Sequence, residues 1–436
     1  MNPVQIVPSP RQLRHQELEF YGFLHFGMNT FTDREWGDGT ESPALFAPEK
    51  IDAWQWVGAL KAAGMRGAIL TCKHHDGFCL WPSRYTEHSV QNSPHQGDVV
   101  REVEQACRFY GLAFGIYLSP WDRHEKTYGQ GKAYDDFYVN QLTELLTGYG
   151  ELFAVWLDGA CGEGPNGKRQ QYDWARYESV VRALQPNACM CVCGPDVRWC
   201  GNEAGQTRPS EWSVVPSRLK DAERIQALSQ QADDSSFCLR SIRSSDLDLG
   251  SHEALAGEDD LIWYPAEVDV SIRPGWFHHP AEDHQVKSPA ELYGLYLRSV
   301  GGNASLLLNV PPAKDGRIHP ADEAALAALG ECIHHAFRQP LFEGTLHHGR
   351  ELIIRLPEPK MLGMLRLKED TRFSQRVESF EAVLSLGGNT VSSLRGTTIG
   401  YQRLMTLGGM LADQVILRVT QARAEPVLHM VGLYQG

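Results

Sequence analysis

The chain has 436 residues, enough to bury one large core and a second smaller one, so a lone small binding module is excluded. Its 41 basic against 54 acidic side chains leave a net charge of −13, which repels phosphate backbones and argues against nucleic-acid binding. No apolar run reaches the roughly 18 residues of a membrane helix, and Met1-Asn2-Pro3-Val4-Gln5 has no leader character. The expectation is a cytoplasmic protein, or a secreted one if a signal has been removed.

From the N-terminus to about residue 337, short apolar runs alternate with helical patterns, as βα units around a parallel sheet do. The candidate strands are Tyr21–Phe26, Gly67–Cys72, Ala113–Leu118, Leu152–Leu157, Cys189–Cys193, Glu211–Val215, Glu267–Ile272 and Ser305–Val310. Between them lie helical patterns at Asp52–Ala63, Asp98–Tyr110, Lys132–Gly148, Gln171–Leu184, Pro289–Val300 and Pro320–Phe337, several opening on an acidic or Pro start signal. Eight strands without a GxGxxG turn favour an α/β (β/α)8 barrel over an open dinucleotide-binding sheet. The polar stretch Lys220–Asp260 is expected to hold loops or short helices. After Gln339-Pro340 strand-like runs recur with Gly-containing turns and no helix, which predicts an antiparallel β-sandwich. The expected division is 1–338 for the barrel and 339–436 for the sandwich.

In a barrel, chemistry sits just after the C-terminal ends of the strands. Polar clusters fall there repeatedly: His25-Phe26-Gly27, Lys73-His74-His75-Asp76, Tyr117-Leu118-Ser119, Trp156-Leu157-Asp158-Gly159, and Gly194 to Trp199 followed by Asn202-Glu203. Neutral donors, one cation, aromatic faces and carboxylates suit a sugar pocket. Asp158, at the mouth of a buried strand, is the candidate nucleophile; a plainer reading makes it a turn cap before Gly159. Adjacent His74 and His75 would point to opposite faces of a strand, so hydrogen bonding to substrate is preferred to metal binding. Cys189, Cys191 and Cys193 share a face but lack CxxC spacing, and packing is the preferred reading.

These motifs, in this order over residues 15 to about 312 and together with Glu35-Trp36, resemble the α-L-fucosidases of glycoside hydrolase family 29. Arg198-Trp199-Cys200-Gly201-Asn202-Glu203-Ala204-Gly205 resembles the branch that prefers α-1,3/1,4-linked fucose. The resemblance implies a retaining exo-α-L-fucosidase with a barrel, a C-terminal β-sandwich and no metal or organic cofactor. Its partner would be a fucosylated oligosaccharide or glycoconjugate, with a homo-oligomer open. Carried over, Asp158 is the nucleophile and Glu203 the acid/base, with Glu267 in reserve. His25, His74 and His75 would donate to fucose hydroxyls and Glu35 would accept from them. Trp36 and Trp276 would bound the sugar, Tyr117 would lie beside the nucleophile, and Arg198 would reach the sugar as a fixed cation. Cys161 and Cys200 depart from the pattern, and exposed thiols there would make the enzyme sensitive to alkylation. Two rivals are a decayed fucose-binding protein on the same barrel and a zinc hydrolase.

Overall fold

The computed structural model describes residues 2–231, 241–242 and 246–436. Eight parallel strands form the central sheet: β1 (Phe20–Leu24), β2 (Gly67–Lys73), β3 (Ala113–Leu118), β4 (Ala154–Leu157), β5 (Cys189–Val192), β6 (Arg198–Trp199), β7 (Ala266–Ser271) and β8 (Ala304–Asn309). They pair in sequence order, β8 returns to β1, and a parallel bridge from Cys191 to Val197 joins β5 to the start of β6, closing the barrel. The strands are buried along nearly their whole length, which is why they read as continuous apolar runs rather than alternating ones.

Helices cover the outside where the sequence supplies caps and amphipathic spacing. After a short α1 (Pro10–Leu18) and α2 (Met28–Thr32), α3 (Ala53–Ala62) starts on the Asp52 cap and α4 (Val99–Tyr110) runs from Asp98 to Gly111 in the left-handed conformation. Then come α5 (Lys132–Gly148), α6 (Trp174–Leu184), the short α7 (Ala222–Leu228), α8 (Pro289–Ser299) and α9 (Pro320–Phe337).

The connection from β5 to β6 carries no helix. Val192 turns in the left-handed region (φ 66°), an uncommon conformation for a β-branched residue, and Asp196 Oδ2 accepts from Met190 N at 2.8 Å to brace the loop. This tight return corrects one expected strand. Val214–Pro216 instead pairs antiparallel with Leu261–Trp263 as a separate ribbon, and the sixth barrel strand is the two-residue Arg198–Trp199. Within Lys220–Asp260, α7 fits the expected short helix; residues 232–240 and 243–245 lie outside the described residues.

The C-terminal strands are β9 (Pro340–Leu346), β10 (Glu351–Glu369), β11 (Val377–Leu386), β12 (Asn389–Gly396), β13 (Arg403–Ala422) and β14 (Leu428–Gln435), antiparallel in the order β9-β14-β10-β13-β11-β12. The long β10 breaks register between Arg355 and Lys360 and again between Leu362 and Met364. The bent strands fold over a second core that includes Leu365, Leu367, Phe380, Leu384, Val415 and Leu417, giving the expected sandwich.

Candidate active site

The strand ends converge on a pocket of about 570 Å³, its open mouth included. Its walls include His25, Trp36, His74, His75, Trp156 and Asp158, together with Trp199, Glu203, Asp269 and Trp276.

Asp158 follows β4 directly. Its Oδ1 accepts from Ala160 N at 2.9 Å, and its Oδ2 accepts from the Tyr117 hydroxyl at 2.8 Å, with His75 Nε2 3.8 Å away. Oδ1 thus caps the turn, as the plainer reading expects, while Oδ2 is held by Tyr117 at the pocket wall. Both donors fix the orientation of the carboxylate. Gly159 cannot be larger: a Cβ there would lie 2.1 Å from Ser229 Oγ, just past the end of α7.

The three histidines are neutral. Burial lowers His25 and His75 to about 4 and pushes His74 well below the usual imidazole range. Their partners fix the tautomers. Asn29 Nδ2 donates both to Glu35 O (2.9 Å) and to His74 Nδ1 (3.3 Å), so the His74 proton sits on Nε2. The Ser119 hydroxyl donates to Trp121 O (2.7 Å) and accepts from His75 Nδ1 at 2.7 Å. Asn309 Nδ2 donates to Ser271 Oγ and Trp276 O, which turns its Oδ1 toward His25 Nδ1 at 2.8 Å. One donor nitrogen and two acceptor nitrogens thus remain for a ligand, a pattern that suits hydroxyl groups, which both donate and accept.

The carboxylates form a second cluster. Trp276 Nε1 donates to Glu203 Oε2 at 3.0 Å, and Trp199 Nε1 donates to Asp269 Oδ1 at 2.8 Å. Burial first, then the charges of Glu203 and Glu267, push Asp269 well above the carboxylate range.

The family model for α-L-fucosidases matches residues 12–336. The chain is 36% identical to Alpha-L-fucosidase 1 of Arabidopsis thaliana over 99% of its own length and 88% of that protein. A glycoside hydrolase 29 family member from a rumen bacterium superposes with a TM-score of 0.85 at 39% identity, covering 99% of this chain and 77% of that one. A Ruminococcus gnavus glycoside hydrolase 29 fucosidase solved with fucose superposes with a TM-score of 0.83 at 27% identity, covering 99% and 95%. The chain belongs to the α-L-fucosidase family.

Within this glycoside hydrolase, several residues stand elsewhere than expected. Arg198 faces away from the pocket: its Nη2 donates to Glu211 Oε1 at 2.5 Å and to Trp212 O at 3.2 Å. Side chains alternate along a strand, and in β6 it is Trp199 that takes the pocket side. A fixed cation would also oppose the positive charge that develops on a sugar ring during glycoside cleavage. Glu35 makes no wall; its carboxylate accepts from Trp276 N (2.9 Å), Phe277 N (3.0 Å) and His279 Nε2 (2.7 Å), so it holds the loop that presents Trp276. Tyr117 does lie beside Asp158, as expected, buried and reaching it through its hydroxyl. Trp36 does stand in the wall, edge-on to His75 at 5.2 Å.

Glu267, the reserve acid/base, lies under the pocket floor. It accepts from Trp156 Nε1 at 2.8 Å and from the Tyr21 hydroxyl, and burial raises it to about 7. With His15 and Cys191 it forms a close triad of metal-type side chains, within 4.8 Å of one another, into which the Tyr21 hydroxyl already reaches. The expected exposure of Cys161 and Cys200 is not met: both thiols are buried, and burial pushes Cys200 up to about 12.

Sequence reasoning missed Asp269, Trp199 as a wall, and the supports Asn29, Ser119 and Asn309. The alternation Glu267-Val268-Asp269-Val270-Ser271 carried the signal for Asp269, since polar residues on one face of a barrel strand point inward.

Proposed function

We propose that this fucosidase cleaves terminal α-L-fucose with retention, through a covalent fucosyl-enzyme on Asp158, and that Glu203 serves as acid and then base. What carries the reading is one pocket holding a carboxylate fixed by Tyr117 and Ala160, a second carboxyl held by Trp276, and three neutral imidazoles. Asp158 attacks the anomeric carbon while Glu203 protonates the departing oxygen. Glu203, now ionised, takes a proton from water, which displaces Asp158 and regenerates the carboxylate. The two inversions leave the product with the anomeric configuration of the substrate.

Replacing Asp158 with Gly should cost several orders of magnitude in kcat on an aryl α-L-fucoside. Azide should restore turnover in Asp158→Gly with β-L-fucosyl azide as product, because azide then replaces the enzyme nucleophile. In Glu203→Ala azide should give the α-azide, because it intercepts the covalent intermediate from the other face. The same anomer from both variants would refute these roles. The loop Arg198 to Gly205 supports preference for α-1,3/1,4-linked fucose. Equal hydrolysis of branched α-1,3/1,4- and linear α-1,2-fucosylated oligosaccharides would overturn that preference.

A further inference from the structure

Beside the fucose pocket lies a second cavity into which four arginines face: Arg198, Arg208, Arg218 and Arg224. The two spaces share the Trp199 side chain as a common wall. Cys200 and Gly201 also line the second cavity and lead within two residues to Glu203. Helix α7 and the residues that follow it have the same double aspect: Arg224, Ile225 and Leu228 of the helix face the arginine cavity, while Ser229 and Gln230, just past its end, face the fucose pocket. The two cavities thus adjoin at Trp199, and the segment that joins their linings carries Glu203.

Arg198 is the informative side chain. It is 5% exposed, and only its Nη2 has partners; Nε and Nη1 are buried with none. Buried charged donors left unmet are rare and call for a ligand or a cost. Arg208 is pinned to Cys200 O (3.1 Å), to Asp246 O (2.5 Å) and more loosely to Glu211 Oε2 (3.4 Å), so one carboxylate serves two guanidinium groups. Arg218 is paired with Glu258 at 2.8 Å, whereas Arg224 carries no ion pair among the described residues. Two aspartates, Asp246 and Asp248, also face the cavity. Asp248 spends its oxygens within its own turn, on Gly250 N, Ser251 N and the Ser251 hydroxyl. The neighbouring carboxylates Glu211, Glu258, Asp246 and Asp248 offset much of this charge, and what distinguishes the cavity is the gathering of four guanidinium groups around one space, one of them, Arg198, with two buried donors still unmet.

We propose that this cavity is an aglycone subsite for an oxyanion, a carboxylate or a sulfate, carried by the glycan from which fucose is removed. The proposal rests on the fucosidase reading of the adjoining pocket. Planar guanidinium groups recognise both oxyanions through charge-assisted hydrogen bonds, which neutral hydroxyls match poorly.

The test compares kcat/KM on three branched fucosylated oligosaccharides that differ only in the galactose substituent: none, a sialic acid, or a sulfate. An aryl α-L-fucoside reports the chemistry without any aglycone. The expected result is a preference of about fivefold or more for at least one anionic form, reduced as ionic strength rises. Which form is preferred identifies the source of the oxyanion. The ratio of anionic to neutral kcat/KM should fall toward one in Arg224→Gln, an exposed position, and in Arg198→Lys, which keeps the charge opposite Glu211 but loses the fork. A wild-type ratio at or below one overturns the subsite, as does a preference that both variants retain. No turnover of any fucoside, the aryl one included, would instead overturn the underlying fucosidase reading.

Discussion

At the scale of single residues the decisive juxtaposition is Asp269 beside Glu203. Two carboxyl groups in a dry pocket cannot both ionise cheaply, and the pair holds its last proton to a higher pH than either group would alone. The upward displacement of Asp269, caused by burial and then by Glu203, is that effect seen from one partner. Asp269→Asn preserves shape and a partner for Trp199 Nε1 but removes the shared proton. The alkaline limb of kcat/KM against pH should therefore move to lower pH, while the acid limb stays in place. An alkaline limb that does not move, or moves up, would refute proton sharing. The three histidines contribute no limb near neutrality, since burial keeps them uncharged.

At the scale of elements, the loop after β7 shows how a wall residue is positioned. Glu35 binds the backbone of Trp276 and Phe277, and His279 bridges Glu35 and Asp33, each at 2.7 Å. Both ring nitrogens face carboxylates, so both carry protons, and the hydrogen bond to Glu35 leads in raising His279 to about 9. The folded value lies above the unbound 6.5, so this clamp stabilises fully below about pH 6.5 and is lost as pH rises through about 9. His279→Gln should lower the urea midpoint at pH 6 and much less at pH 9.5, and should raise KM more than it lowers kcat. A midpoint difference independent of pH would show that His279 acts by packing alone. The sequence made much of this scale legible: the helix at Lys132–Gly148 matches residue for residue, because a run free of Gly and Pro stands between Gly131 and Gly148. The failures have equally local causes. A two-residue strand, Arg198–Trp199, has no period to detect, so the longer apolar run Glu211–Val215 drew the assignment. The role of Glu35 in holding Trp276 and Phe277 was not legible, because those backbone partners lie some 240 residues further along the chain.

At the scale of the whole molecule, catalytic groups follow the barrel strands, whereas one part of the sandwich interface lies on residues that precede them. The sandwich docks on residues just before β1 and β8. Glu19 accepts from Lys368 Nζ at 2.5 Å and from Arg366 Nη2 at 3.3 Å, and Tyr401 N donates to Asn303 Oδ1 at 2.7 Å. Glu19 is 5% exposed, and despite burial the surrounding cations hold its carboxyl below the usual range. Its contribution is therefore present above about pH 4.5 and lost as pH falls through the lowered folded value. Glu19→Gln strands the buried Lys368, and breaking such a pair costs about 3–5 kcal/mol. Replacing both partners, Glu19→Gln with Lys368→Met, removes the most buried uncompensated charge, leaving Arg366 and Arg66 nearer the solvent, and should recover much of that loss. Neither change touches the pocket, so kcat on an aryl α-L-fucoside, measured well below the melting temperature, should stay within about twofold of wild type. Denaturant titration and kinetics on the three proteins check both halves. A double variant no more stable than Glu19→Gln would place the stabilisation outside this ion pair, and a large fall in kcat would show that the docking face and the strand ends are coupled through the barrel.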